Sequence, residues 1–179
     1  MRLKKCKGCG EKFAPSRPLQ SVCNPSCALV RARKKTLDDA AKRQRAKTKA
    51  ARESLKTRSD HLKEAQTEFN KYIRLRDKDL PCVSCGRHHE GQYHAGHYRS
   101  VGAAPHLRFN EDNVWKQCSV CNNHLSGNQI EYRISLTDRI GLNKVEAIEH
   151  SNDPAKLSIE EIKAIKLKYR AMAKELASL

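Results

Sequence analysis

A small α+β protein is what this sequence predicts, and three observations predict it. Two long stretches, one starting near residue 31 and one at the C-terminus, read as helix from their composition and spacing. Between them Tyr93, Tyr98 and the run around Val114 and Trp115 read as strands, separated by Pro105 and a turn at Asn110, Glu111 and Asp112. Eight cysteines fall into two quartets, each made of two close pairs. The 179 residues leave room for one or two small domains, and only 38% are hydrophobic and 5% aromatic, so one large apolar core is not expected. The cysteines must supply what apolar burial does not.

Several classes fall away. No stretch approaches the roughly 18 apolar residues of a membrane span. The opening MRLKKCKGCG lacks the apolar core of a signal peptide, which points to a reducing compartment, the cytoplasm. There, eight cysteines signify metal more often than disulfides. The net charge of +16 calls for a polyanionic partner, nucleic acid first and an acidic membrane surface second. Residues 1–58 hold eighteen basic and four acidic side chains, so +14 of that charge sits in the first third.

The elements follow in chain order. Residues 1–30 hold Cys6, Cys9, Cys23 and Cys27, framed by Lys4, Lys5, Lys7, Lys12 and Arg17, and read as a zinc ribbon. Residues 31–80 read as one long basic helix or linker, since Arg31 to Asp79 contains no Pro or Gly and Pro81 stops it. Leu55, Leu62 and Phe69, with Ala65 and Tyr72 between, form a heptad-like stripe. The first half is basic all round, and Arg31, Arg33, Lys34, Lys35, Lys42, Arg43, Arg45, Lys47, Lys49 and Arg52 are its candidate DNA-binding side chains. Residues 81–140 hold Cys82, Cys85, Cys118 and Cys121 around a strand–loop–strand–helix order. Residues 141–179 are helical: Ser158 and Glu161 make a capping box, and Ile162, Ile165, Tyr169, Met172, Leu176 and Leu179 form an amphipathic stripe. That stripe can pack on the long helix of its own chain or of a second subunit, so a homodimer is permitted.

Each quartet lets two tight turns offer four thiolates to one Zn²⁺ at about 2.3 Å, a closed site with no open position for substrate. Two structural zinc ions follow, and their binding free energy becomes folding free energy. Chemistry must then come from elsewhere. Six of the eight histidines, His88, His89, His94, His97, His106 and His124, lie between Cys82 and Leu125.

The order CVSC, GQYHAGHYRS, NVWKQCSVCNNH and a following helix resembles the HNH, or ββα-metal, nuclease motif in its cysteine-containing form. In that form a His closes the first strand, an Asn stands five residues before a CxxC pair, and the residue after the pair gives a metal ligand at the helix start. His97, Asn113 and Asn122 hold those places. The Asn after the second pair is similar to that of junction-resolving endonucleases of large tailed phages. The whole chain, through its N-terminal quartet and its AGHY and QCSVCN segments, resembles the NinG (Rap) recombination proteins of lambdoid phages.

The resemblance implies an HNH-like core over 81–140 and a metal-dependent endonuclease that cuts branched recombination intermediates, Holliday junctions and D-loops. It also implies host or phage recombination proteins as partners. His97 would be the general base. Asn113 would hold the loop and orient His97, and Asn122 would give an oxygen to Mg²⁺ or Mn²⁺. The motif commonly has Asp or His directly before the base, where this chain has Gly96. His94, on the same strand face as position 96, is the substitute ligand, with His124 as an alternative. His88 and His89 read as surface loop, and Val114 and Trp115 as strand packing. Arg99 and Arg108 flank the base and read as phosphate contacts or solvated charges. A non-enzymatic zinc-dependent DNA-binding accessory or regulator is the alternative, and an RNA-binding zinc protein a third reading.

Overall fold

The computed structural model of the chain describes residues 3–153 and 156–178, so the last stripe position, Leu179, lies outside the described residues. The chain divides into two compact units, Met1–Lys56 and Thr57–Leu179.

In the first unit, β1 (Lys4–Lys5) and β2 (Lys12–Phe13) form a short antiparallel hairpin with Lys4 opposite Phe13. Its turn carries Cys6 and Cys9. Gly8 there has no substitute, because a Cβ would stand 2.5 Å from the Cβ of Cys27. Helix α1 (Pro25–Ser54) follows. Pro25 presets its first turn, and the Asn24 side chain accepts from the Cys27 amide at 2.7 Å. The helix is about 45 Å long at 1.5 Å per residue and buries none of its side chains.

The continuous helix expected over residues 31–80 is two helices. It begins at Pro25, inside the segment read as ribbon, and ends at Ser54; α2 (Arg58–Arg76) then starts afresh. The physical reason is a capping box. Thr57 accepts from the Asp60 amide while Asp60 accepts from the Thr57 amide at 2.9 Å, satisfying donors that a helix start leaves open. The expected heptad stripe breaks with it: Leu55 is 80% exposed at the end of α1, whereas Phe69 and Tyr72 are buried on α2.

The second unit is built around an antiparallel hairpin, β3 (Tyr93–His97) and β4 (Val114–Cys118), with His97 opposite Val114. α3 (Gln129–Ile140), α4 (Leu142–His150) and α5 (Ile159–Leu176) complete it. The two hairpin faces go to different apolar clusters. Val114 packs with Phe69, Tyr72 and Ile73 of α2 and with Tyr169 and Ala173 of α5, and Ala95 lies against this group. Trp115 lies against the other cluster, in which Tyr98 and Val83 meet Tyr132 and Leu136 of α3 and Val145 and Ile148 of α4. Phe69 and Tyr169 meet edge to face at 4.7 Å. The apolar stripes of α2 and α5 thus cover each other within one chain. Ser158 and Glu161 form the expected box at the start of α5.

The end of α2 is tied to β4 by an ion pair between half-buried Arg76 and buried Asp77. Arg76 grips Asp77 through Nε at 2.6 Å and Nη2 at 3.0 Å, and Asp77 accepts from the Lys116 amide at 2.9 Å. The same guanidinium donates to the Val114 carbonyl and lies 4.3 Å from the Trp115 ring. Among the described residues no helix is long and apolar enough to cross a membrane.

Candidate metal centres and candidate catalytic cleft

Both cysteine quartets converge. In each, the four sulfurs lie within 4.8 Å of one another. Cys9 and Cys23 are 3.7 Å apart, and Cys23 and Cys27 are 3.5 Å apart. A tetrahedron of Zn–S bonds of about 2.3 Å puts its sulfurs about 3.8 Å from one another, so these spacings suit an ion and are far too long for a disulfide. Backbone amides support the sulfurs: Gly8 and Cys23 donate to Cys6 at 3.3 Å, and Cys118 donates to Cys82 at 3.3 Å. Burial opposes ionisation of Cys6 and Cys82, yet neighbouring amides outweigh it and pull both thiols below the ordinary cysteine range. Either quartet could hold a zinc ion. Among the described residues these are the only groups of three or more His, Cys, Asp or Glu side chains that could share a metal.

The structure brings two of the three motif residues to one cleft. His97 and Asn122 line a space of about 340 Å³ with Ala95, Ser100, Gly127 and Gln129. His97 is half-buried at the end of β3, and its Nε2 lies 3.0 Å from the Arg108 carbonyl. A carbonyl only accepts, so Nε2 carries the proton and Nδ1 keeps its lone pair. Burial lowers the His97 pKa and the nearby Arg108 charge lowers it further, against the opposing hydrogen bond to the Arg108 carbonyl. The ring is therefore neutral at pH 7, the form a general base needs.

Asn113 sits behind this cleft, fully buried. Its Oδ1 accepts from the Arg99 amide at 2.8 Å, and its Nδ2 donates to the carbonyls of Arg99 at 3.1 Å and Leu107 at 3.2 Å. Its own carbonyl accepts from Tyr98 at 2.8 Å. It staples both ends of the loop that leaves β3 directly after His97.

Other expected ligands do not join them. Alternation along β3 turns His94 to the face opposite Ala95 and His97, and its Nε2 stands 3.5 Å from Asn123 Nδ2. His124 is exposed. Asn122 does not begin the α-helix: it lies in a π-helical turn, Val120–His124, and α3 starts only at Gln129 after Asn128. The Gly at position 96 also has a cause. A Cβ there would lie 2.2 Å from Gln117 Oε1, so Gln117 occupies the space of the missing side chain. Gln117 is 1% exposed; its Nε2 donates to Ser84 and the Gly127 carbonyl, and its Oε1 has no hydrogen-bond partner.

Two further roles, those of Arg99 and His89, differ from expectation, and His106 gains a partner. Arg99 is neither a phosphate contact nor a solvated charge: its Nη1 donates to the carbonyls of Ile148, Glu149 and Ser151, closing the C-terminus of α4. His89 is more than surface loop, with Nε2 3.2 Å from Cys85 Sγ. His106 meets Ser151 Oγ at 2.9 Å. The Arg99 and His106 contacts to Ser151 span 52 and 45 residues, and no local sequence signal announces them. Gln117, by contrast, is an amide at an inward strand position, which alternation flags.

All ten candidate DNA-binding residues of α1 are exposed. They are not evenly spread. At 100° per residue, Arg31, Lys34, Lys35, Lys42, Arg45, Lys49 and Arg52 fall within an arc of about 100°, one broad cationic face.

Comparison with known proteins places the chain. A family model described as "Bacteriophage Lambda NinG protein" matches residues 1–178. The "Protein ninG" of Escherichia phage lambda is 42% identical over 189 aligned positions, covering 97% of this chain and 93% of that protein. Those of Escherichia phage 933W and Salmonella phage P22 are 43% and 41% identical, with the same coverage. No solved structure matches. With agreement along nearly its full length, the chain belongs to the NinG family of lambdoid phages.

Proposed function

We propose that the protein is a metal-dependent endonuclease of branched DNA, with an HNH-like core and His97 as its general base. One observation carries this reading: a neutral His97, its tautomer set by the Arg108 carbonyl, shares an open cleft with Asn122. Nδ1 takes a proton from water as the water oxygen attacks phosphorus. The bond to the 3′ oxygen breaks, and solvent protonates that oxygen, leaving 5′-phosphate and 3′-hydroxyl ends. Asn113 keeps the loop, and so the imidazole, in place.

Asn122 is the residue to hold a Mg²⁺ or Mn²⁺ ion. It is the one side chain of the cleft assigned as a ligand. Such a sparse oxygen set suits Mg²⁺, which keeps most of its waters. When bound, the ion supplies positive charge to the scissile phosphate and the leaving oxygen. Preference for junctions and D-loops, and a role in recombination, rest on the family resemblance.

The test uses a labelled four-way junction and a linear duplex of the same sequence, with Mg²⁺ or Mn²⁺. The parent protein cuts the junction and His97→Ala does not; equal cutting by both removes His97 from the chemistry. The alternative, a zinc-dependent DNA-binding accessory without catalysis, is favoured by the cationic face of α1, which serves binding alone. A parent protein that binds the junction and never cuts it selects that alternative.

A further inference from the structure

A second cleft, of about 150 Å³, is lined by Arg58, Leu62, His106, Arg108 and Lys156. Its polar wall is basic throughout. Arg58 opens α2 and donates through Nε to the Leu157 carbonyl at 3.0 Å. Arg108 donates through Nη1 to Gln66 Oε1 at 3.3 Å. A guanidinium has five N–H donors, so each arginine is fixed by one contact and keeps others to offer.

Several cations of this unit are matched: Arg76, Arg133, Lys144, Lys166 and Lys168 each pair with a carboxylate. Among the described residues no carboxylate pairs with Arg58, Arg108 or Lys156. Burial and the neighbouring Arg58 charge both lower the Arg108 pKa, the mark of a guanidinium lacking a counter-ion. Two like charges gathered in a partly desolvated cleft are costly unless an anion joins them.

We infer that this cleft binds a backbone phosphate of the DNA, with Arg58 and Arg108 as its two arms. The inference rests on the reading that the protein acts on DNA. Arg suits the task, because its planar fork matches two phosphate oxygens. The position has a mechanical consequence. The Arg108 carbonyl holds His97, and the Arg108 side chain lines the cleft, so one residue sets both the base and the grip on the strand. A phosphate held there locates the strand relative to the bond that His97 addresses.

The experiment measures binding of the full chain to a labelled four-way junction between 50 and 200 mM salt without divalent ions. Each phosphate contact contributes a log–log slope of about −0.9. Arg58→Gln with Arg108→Gln is expected to flatten the slope by about 0.9, one phosphate contact, and to weaken binding about tenfold at the lower salt. Lys163→Gln, an exposed charge on α5, should leave both near the parent values. Arg58→Lys with Arg108→Lys keeps the charges and should keep the slope; a loss there too would mean that the cleft had collapsed, and overturns the assignment. A double Gln variant with the parent slope and affinity overturns it as well, whatever the cleavage. Parent protein that binds steeply but never cuts fails the endonuclease reading, while the slope difference still decides the phosphate site. No DNA binding by the parent overturns both.

Discussion

The two units each carry four cysteines in two close pairs, yet they use them differently. In the first, Cys6 is buried, Cys9 is exposed, and the described residues contain no apolar cluster. Its strands are two residues long and α1 buries nothing. In the second, Cys82, Cys118 and Cys121 are buried in a unit that also holds two apolar clusters and the Arg76–Asp77 pair. The charge divides the same way: the cationic face belongs to the first unit, while the cleft of His97 and Asn122 belongs to the second. One cysteine pattern thus serves once in place of a core and once as an anchor for a hairpin that a core already supports. On the proposed function, the first unit would hold the polyanion and the second would place the chemical groups.

Removing metal should break this comparison most sharply. Structural zinc contributes on the order of 10 kcal/mol in small zinc domains. A strong chelator should unfold the first unit while the α2–α5 pair keeps its helicity, read by hydrogen exchange along the chain. Loss of protection in both units together would show that they depend on metal equally. Cys9→Ser should lower bound zinc from two equivalents to one.

Next in size is the cationic face. Changing Arg31, Lys34, Lys35, Lys42, Arg45, Lys49 and Arg52 to Gln should weaken junction binding on the order of 10³-fold and flatten its salt slope by several units of about 0.9. Zinc content should not change. An unaltered slope would move DNA contact away from α1.

Asn113→Ala should cost about 2–4 kcal/mol, because it leaves the Arg99 amide and the Arg99 and Leu107 carbonyls without their partner. The loss should fall in the second unit's melting transition and leave the first unit's zinc in place. A variant as stable as the parent would show that the loop does not need its staple.

The smallest effect is that of pH. The folded His97 pKa lies below the ordinary value of about 6.5, so between the two the unfolded chain binds more protons. The stability from this group is full above the ordinary value and falls as pH drops from there through the folded pKa. Cleavage should follow its own acidic limb, below the ordinary histidine range, and His97→Gln should remove the stability slope. An acidic limb at or above the ordinary value would mean a histidine charged at rest.

Legibility in the sequence follows locality. The quartets are visible because a metal fixes spacing, and the Ser158–Glu161 box because a cap is written within four residues. Thr57 and Asp60 carry the same signal, yet a long Ala- and Lys-rich run masks the break between α1 and α2. What stayed hidden depends on distant partners. Arg99 closes a helix some 50 residues away, Gly96 makes room for Gln117 on the neighbouring strand, and His94 is turned from His97 by the pleat. The family resemblance points to His97, Asn113 and Asn122, and two of these line one cleft with the third behind it. The tautomer of His97 and the basic cleft around Arg108 belong to the fold alone.

The most direct measurement of the division between holding and cutting compares His97→Ala with the parent on a four-way junction, with binding and cleavage read on the same samples. The variant should show unchanged affinity, two zinc ions per chain, and cleavage reduced at least about 10²-fold. Cleavage at the parent rate would contradict that division.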